Sequence, residues 1–94
     1  MKVAFYVGPD GLVPFQEWFR GLLDKRAKTA IVRRLDRLKS GNPGDHKFCR
    51  EGIWEIRIDV GPGYRVYYTQ TDPQEVLLFT GGKKDPRKRT LPSP

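Results

Sequence analysis

Apolar residues recur along this chain with two different periods, and the change between them divides the sequence roughly in half. Lys2 to Val7 (KVAFYV) is a β-branched and aromatic run that predicts a first strand, broken by Gly8-Pro9-Asp10-Gly11. Pro14 suits a first helical turn. Phe15, Trp18, Phe19, Leu22 and Leu23 follow at the spacing of one helix face, which makes Trp18 a core residue. Asp24 is placed to cap a second helix with an inward stripe of Ala27, Ala30, Ile31, Leu35 and Leu38. Lys25, Arg26, Lys28, Arg33, Arg37 and Lys39 fall on its outer face, and Gly41-Asn42-Pro43-Gly44 stops it. So short a connection between helices predicts a hairpin.

Beyond Gly44 the pattern alternates. Ile53 to Val60 (IWEIRIDV) sends Trp54, Ile56, Ile58 and Val60 to one face and Ile53, Glu55, Arg57 and Asp59 to the other. Gly61-Pro62-Gly63 turns the chain into Tyr64 to Gln70, and Thr71-Asp72-Pro73-Gln74 turns it again into Glu75 to Thr80. A further short strand fits His46 to Arg50. The predicted architecture is α+β: an N-terminal strand, a helical hairpin, then an antiparallel sheet meander packed against the helices on one face and open on the other. Residues 1–84 make one domain, and 85–94 form a basic, Pro-containing tail. A chain of 94 residues has room for one domain.

Composition narrows the setting. The sole cysteine, Cys49, has no partner for an internal disulfide, so it reads as a buried free thiol in a reducing compartment. No apolar run approaches the ~18 residues of a membrane span, and no leader pattern is visible. The expectation is a cytoplasmic protein without membrane contact. Eighteen Lys and Arg against eleven Asp and Glu give a net charge of +7, an excess that suits a polyanionic partner.

The open sheet face is where chemistry would sit. Alternation places Glu55, Arg57, Arg65, Tyr67 and Thr69 there, with Tyr64, Val66 and Tyr68 turned to the helices. Gly81-Gly82 leads from the last strand into Lys83 and Lys84, then Arg87, Lys88 and Arg89, while His46 and Lys47 lie upstream. Arginine grips phosphate through a planar fork and an aromatic ring stacks a base. The same pattern equally describes a solvated sheet face laced with Glu–Arg pairs. One His and one Cys cannot build a zinc site, no acidic cluster suggests catalytic magnesium, and no nucleotide-binding loop is present. Cleavage of RNA by this chain would therefore need neither metal nor cofactor. It would rely on the ribose 2′-hydroxyl, on cations at the phosphate and on a proton donor.

Several strings together resemble the RelE/ParE toxin superfamily, and within it the HigB-like addiction-module killer proteins. They are Phe15-x-x-Trp18, Asp24, Ile31-x-x-Arg34-Leu35-x-Arg37-Leu38, Gly41-Asn42-x-Gly44-Asp45-x-Lys47, Glu55-x-Arg57 and Gly61-Pro62-Gly63-Tyr64-Arg65-Val66-Tyr67-Tyr68. The likeness runs over about residues 3–84 and implies a fold of the order just derived. It implies a toxin paired with a small antitoxin, usually a helix-turn-helix protein, that enters the ribosomal A site and cuts mRNA by 2′-hydroxyl attack. By this resemblance Arg65 contacts the scissile phosphate, Arg57 assists, Lys84 completes the cationic set and Glu55 stands where relatives often carry a lysine base. Lys47, Tyr67, Lys83 and Arg87 would bind RNA. The Tyr or His that many relatives carry near the C-terminus has no counterpart after Tyr68, and Pro86 and Pro92 oppose a terminal helix. That departure leaves open two other outcomes, a ParE-like DNA gyrase poison and a degenerate toxin that only binds its antitoxin. His46 is a further candidate proton donor.

Overall fold

A computed structural model describes residues 1–84; the tail from 85 onward, including Arg87, lies outside the described residues. The chain runs β1 (Lys2–Phe5), α1 (Pro14–Arg20), α2 (Lys25–Lys39), β2 (His46–Arg50), β3 (Ile53–Ile58), β4 (Tyr64–Asp72) and β5 (Glu75–Lys83). The fold is α+β, with two helices on one face of a five-stranded mixed sheet ordered β1-β5-β4-β3-β2. No helix among the described residues is long and apolar enough to cross a membrane.

Strands β2 to β5 form the predicted antiparallel meander. The N-terminal strand departs from it: β1 lies parallel to β5 at the sheet edge, with Val3 opposite Val76 and Phe5 opposite Leu78. Local periodicity carries no information on that partner. β1 also ends at Phe5, after which the Tyr6 amide donates once more to the Leu78 carbonyl at 2.8 Å and Tyr6 and Val7 turn outward.

The first helix is shorter than its stripe predicted. Pro14 starts it at N1, and it closes at Gly21 after seven residues. Leu23, expected on the inward face, is 96% exposed because α1 ends at Arg20 and residue 23 lies in the connection to α2. Asp24 caps α2 as predicted, its carboxylate accepting from the Arg26 and Ala27 amides at 2.9 and 3.4 Å. Ala27, Ile31 and Leu38 are buried against Ile56, Ile58, Val66, Val76 and Leu78 of the sheet. Lys28 differs from its basic neighbours on the outer face: it is half-buried, with its ammonium 5.2 Å from the centre of the Phe19 ring. This cation–π contact ties α2 to α1.

Trp18 rests on Gly81. The ring packs on the core beside Phe15 and Tyr64, with centroids 5.7 and 6.3 Å away, and its six-membered edge covers the backbone of residue 81. The Gly81-Gly82 pair was expected to end the last strand. Instead β5 runs through it to Lys83, because position 81 needs a residue without a side chain beneath the indole.

Candidate functional site

The strand pairing arranges the open face into two rows. In one, Lys47, Glu55, Tyr67 and Thr80 stand opposite one another across four strands. In the next, Arg57 is opposite Arg65, and Arg65 is opposite Gly82. Alternation along β3 and β4 is as predicted, since Ile56, Ile58, Tyr64, Val66 and Tyr68 are buried on the helix side.

Arg65 and Glu55 form the centre of this face. The Arg65 Nε lies 3.2 Å from Glu55 Oε2, and their side chains are only 12% and 17% exposed. Arg65 Nη1 also donates to the Tyr64 carbonyl at 3.1 Å. Arg57 sits at the rim, 39% exposed, in a loose pair with Asp45 at 3.9 Å. Lys47 and Lys84 are exposed and, among the described residues, have no carboxylate within ion-pair distance. The Lys84 amide donates to the Gly63 carbonyl at 2.9 Å, and its side chain lies over Gly63 on the Arg65 side of the strand. Gly63 is buried at a φ of +88°, so a larger residue there meets both backbone strain and the Lys84 chain.

The structure does not gather every predicted residue. Lys83 is opposite Tyr64, whose ring faces the helices, so the pleat sends Lys83 to the other side from Lys84. His46 also leaves the site. It is opposite Ile56 on the helix side, its ring 5.1 Å from Trp54 and its Nδ1 at 2.8 Å from the Gly44 carbonyl. Thr69 is engaged structurally, donating to the Gly52 carbonyl at 2.7 Å.

Two further groups on the face have perturbed acidity. Burial pushes the Tyr67 phenol above its ordinary value, and the Glu55 charge adds to the shift. Cys49, expected to be buried, is half-buried at the irregularity in β2. Its thiol is pushed up by burial first and then by Glu55, which suppresses the thiolate a nucleophile would need.

No family profile matches the chain. A protein of Haemophilus influenzae (strain ATCC 51907 / DSM 11121 / KW20 / Rd), described as an uncharacterized protein, is 42% identical over 77 residues, which make up 82% of this chain and 78% of that relative. The two chains belong to one family.

In this family member one residue that holds the site together has no role assigned from the sequence, although it stands in a string that carries the toxin resemblance. Arg34 occupies the apolar stripe of α2 between Ile31 and Leu38, and an arginine at such a position is itself the signal. Its guanidinium donates from Nη1 to the Arg57 carbonyl at 2.7 Å and from Nη2 to the Pro43 and Asp45 carbonyls, each at 2.8 Å. Gly44, at a φ of +68°, passes directly over it. Burial lowers the Arg34 pKa, and nearby Asp45 opposes that shift. The fork thus joins α2 to β3 and to the lead-in of β2, which fixes where Arg57 and Lys47 stand. Hydrogen bonds from a charged donor contribute about 1.5–3 kcal/mol each. Arg34→Ala is therefore expected to lower the unfolding free energy by roughly 3 kcal/mol, allowing for water replacing part of the set. A urea titration checks this, and a loss below about 1 kcal/mol would show the fork to be dispensable.

Proposed function

We propose that the chain is the toxin of a toxin–antitoxin pair, a HigB-like member of the RelE/ParE superfamily that cuts mRNA on the ribosome. The observation carrying this reading is the convergence of Arg65, Arg57, Lys84, Lys47 and Tyr67 around Glu55 on one sheet face. Arg65, Arg57 and Lys84 are residues the resemblance assigns to phosphate, Lys47 and Tyr67 are those the sheet pattern offers to RNA, and Glu55 stands where relatives often carry a lysine base.

The chemistry follows from those positions. The Arg65 fork, with Lys84 beside it, binds the non-bridging oxygens of the scissile phosphate and stabilises the charge that grows in the pentavalent state. The Glu55 carboxylate takes the 2′-hydroxyl proton. The 2′-oxygen then bonds to phosphorus, the bond to the 5′-oxygen breaks, and a 2′,3′-cyclic phosphate is left. The departing oxygen takes its proton from Lys84 or from water. Tyr67 offers a half-buried ring on which a base stacks, while Lys47 and Arg57 neutralise flanking phosphates.

The opposite side of the molecule suits a second polyanion. Lys25, Arg26, Arg33 and Arg37 are exposed on α2, and the first three line an open cleft of about 610 Å³ with Asp59 and Gly61. It is separate from the Arg65 face, and ribosomal RNA is the partner proposed for it. Phe5, Tyr6 and Val7, exposed at the β1 edge, offer the kind of apolar strip that a protein partner such as an antitoxin covers.

The test is mapping of transcript 5′ ends minutes after the chain is induced without an antitoxin. New ends inside translated frames are expected. Growth arrest with no new ends would remove the endonuclease reading. One observation favours a second reading, a ParE-like gyrase poison: Arg65 is already ion-paired and largely covered. That reading calls for DNA breaks and filamentation before any fall in protein synthesis.

A further inference from the structure

The ion pair at the centre of the open face has a consequence for ligand binding. A carboxylate offers an arginine fork the same planar, anionic, two-oxygen edge that a phosphodiester offers. At 3.2 Å from Arg65 Nε, the Glu55 carboxylate occupies part of the space a bound phosphate oxygen would need. Both side chains are largely withdrawn from water, so their attraction is screened less than at the rim, where the Arg57–Asp45 pair is longer and more exposed.

We infer that Glu55 is an internal competitor that closes the Arg65 phosphate seat, so that a nucleic-acid backbone binds there only by displacing it. This rests on the proposed function for the identity of the ligand, an RNA backbone, and adds the residue that sets its affinity. The displacement has a direction. Lys47 and Tyr67 flank Glu55 in its own row across the sheet. A carboxylate released from Arg65 therefore has the Lys47 ammonium on the neighbouring strand to turn toward. The exchange also sets a threshold on the ligand. An isolated phosphate must overcome the Arg65–Glu55 attraction alone. A strand gains additional contacts at Lys84, Lys47 and Arg57, which meet phosphates on either side of the one at Arg65. The seat thus discriminates for polymers over mononucleotides and inorganic phosphate. Once displaced, Glu55 no longer accepts from Arg65, so the same movement that admits the phosphate releases a carboxylate oxygen to accept a proton.

The experiment measures binding separately from cleavage. A short fluorescent RNA with 2′-O-methyl riboses cannot undergo 2′-attack, and its anisotropy reports affinity for the whole chain at fixed salt. Glu55→Gln keeps the side-chain shape and a hydrogen-bond acceptor for Arg65 while removing the charge. It is expected to bind this RNA about tenfold more tightly than the wild type, equivalent to about 1.4 kcal/mol. Asp72→Asn, exposed at the β4–β5 turn and still able to accept from the Gln74 amide, makes the same change in net charge and should alter affinity less than about twofold. Adding Arg65→Gln to Glu55→Gln should abolish the gain. Equal or weaker binding by Glu55→Gln, a gain matched by Asp72→Asn, or a gain that survives Arg65→Gln would each overturn the proposal. A gain that depends on Arg65 in a chain that cuts no transcript would keep the closed seat and reject the endonuclease.

Discussion

Alanine at position 81 is expected to lower the unfolding free energy by about 3 kcal/mol, the upper part of the range for overpacking a core. Two effects oppose each other there. Glycine inside a strand is unfavourable, and alanine at an unencumbered position would stabilise β5 by up to ~1 kcal/mol. Against that, a methyl on residue 81 would fall inside the van der Waals envelope of Cζ3, Cη2 and Cε3 of Trp18. Phe15 and Tyr64 pack against the indole and restrict its movement away from residue 81. The steric term wins. Denaturant unfolding of Gly81→Ala, Trp18→Leu and the double variant separates the two effects. With the indole gone, alanine at 81 should cost nothing or stabilise slightly, giving a coupling of about 3 kcal/mol. A penalty of equal size with and without Trp18 would show that the clash is not its cause.

On the proposed endonuclease reading, Arg65→Ala is expected to reduce cleavage of a ribosome-bound message by more than about a hundredfold, the usual effect of removing one preorganised donor to a developing anion. The variant also leaves Glu55, only 17% exposed, without its partner, so some stability is lost with the activity. Arg65→Lys distinguishes the two. Lysine keeps the charge and the pairing with Glu55 but lacks the planar fork, so cleavage should fall at least about tenfold while the melting temperature stays near wild type. Unimpaired cleavage by Arg65→Ala would take Arg65 out of the site.

Much of this arrangement is legible in the sequence, and its limits have physical causes. Ile56, Val66 and their alternating neighbours bury one face, and a strand slipped by one residue would expose all of them. The opposite face, with Glu55, Arg57, Arg65 and Tyr67, follows from the same constraint. Asp24 and Pro14 mark helix starts through chemistry local to one turn. Features set by distant contacts are another matter. Nothing near Lys2 says that its strand will lie against β5. The glycine at 81 reads as a strand breaker until Trp18 is placed above it. Lys83 and Lys84 look like one basic pair until β5 is known to run on to Lys83, at which point the pleat separates them. Arg34 could have been noticed from its position between Ile31 and Leu38, but its three acceptors belong to the β2 lead-in and β3, out of reach of local pattern.

The parallel pairing of β1 with β5 bears on when the molecule forms. Strand β1 is matched with β5, the last strand of the sheet in chain order, Lys2 against Glu75 and Phe5 against Leu78. Contacts so distant in sequence slow folding, since the whole intervening chain must be closed into a loop. They also keep the nascent chain from completing its sheet before β5 has been made. Gly81, the seat for Trp18, and Lys84, beside Arg65, emerge later still. The Arg65 face is accordingly a late product of synthesis: a growing chain cannot assemble it until β5 has cleared the exit tunnel.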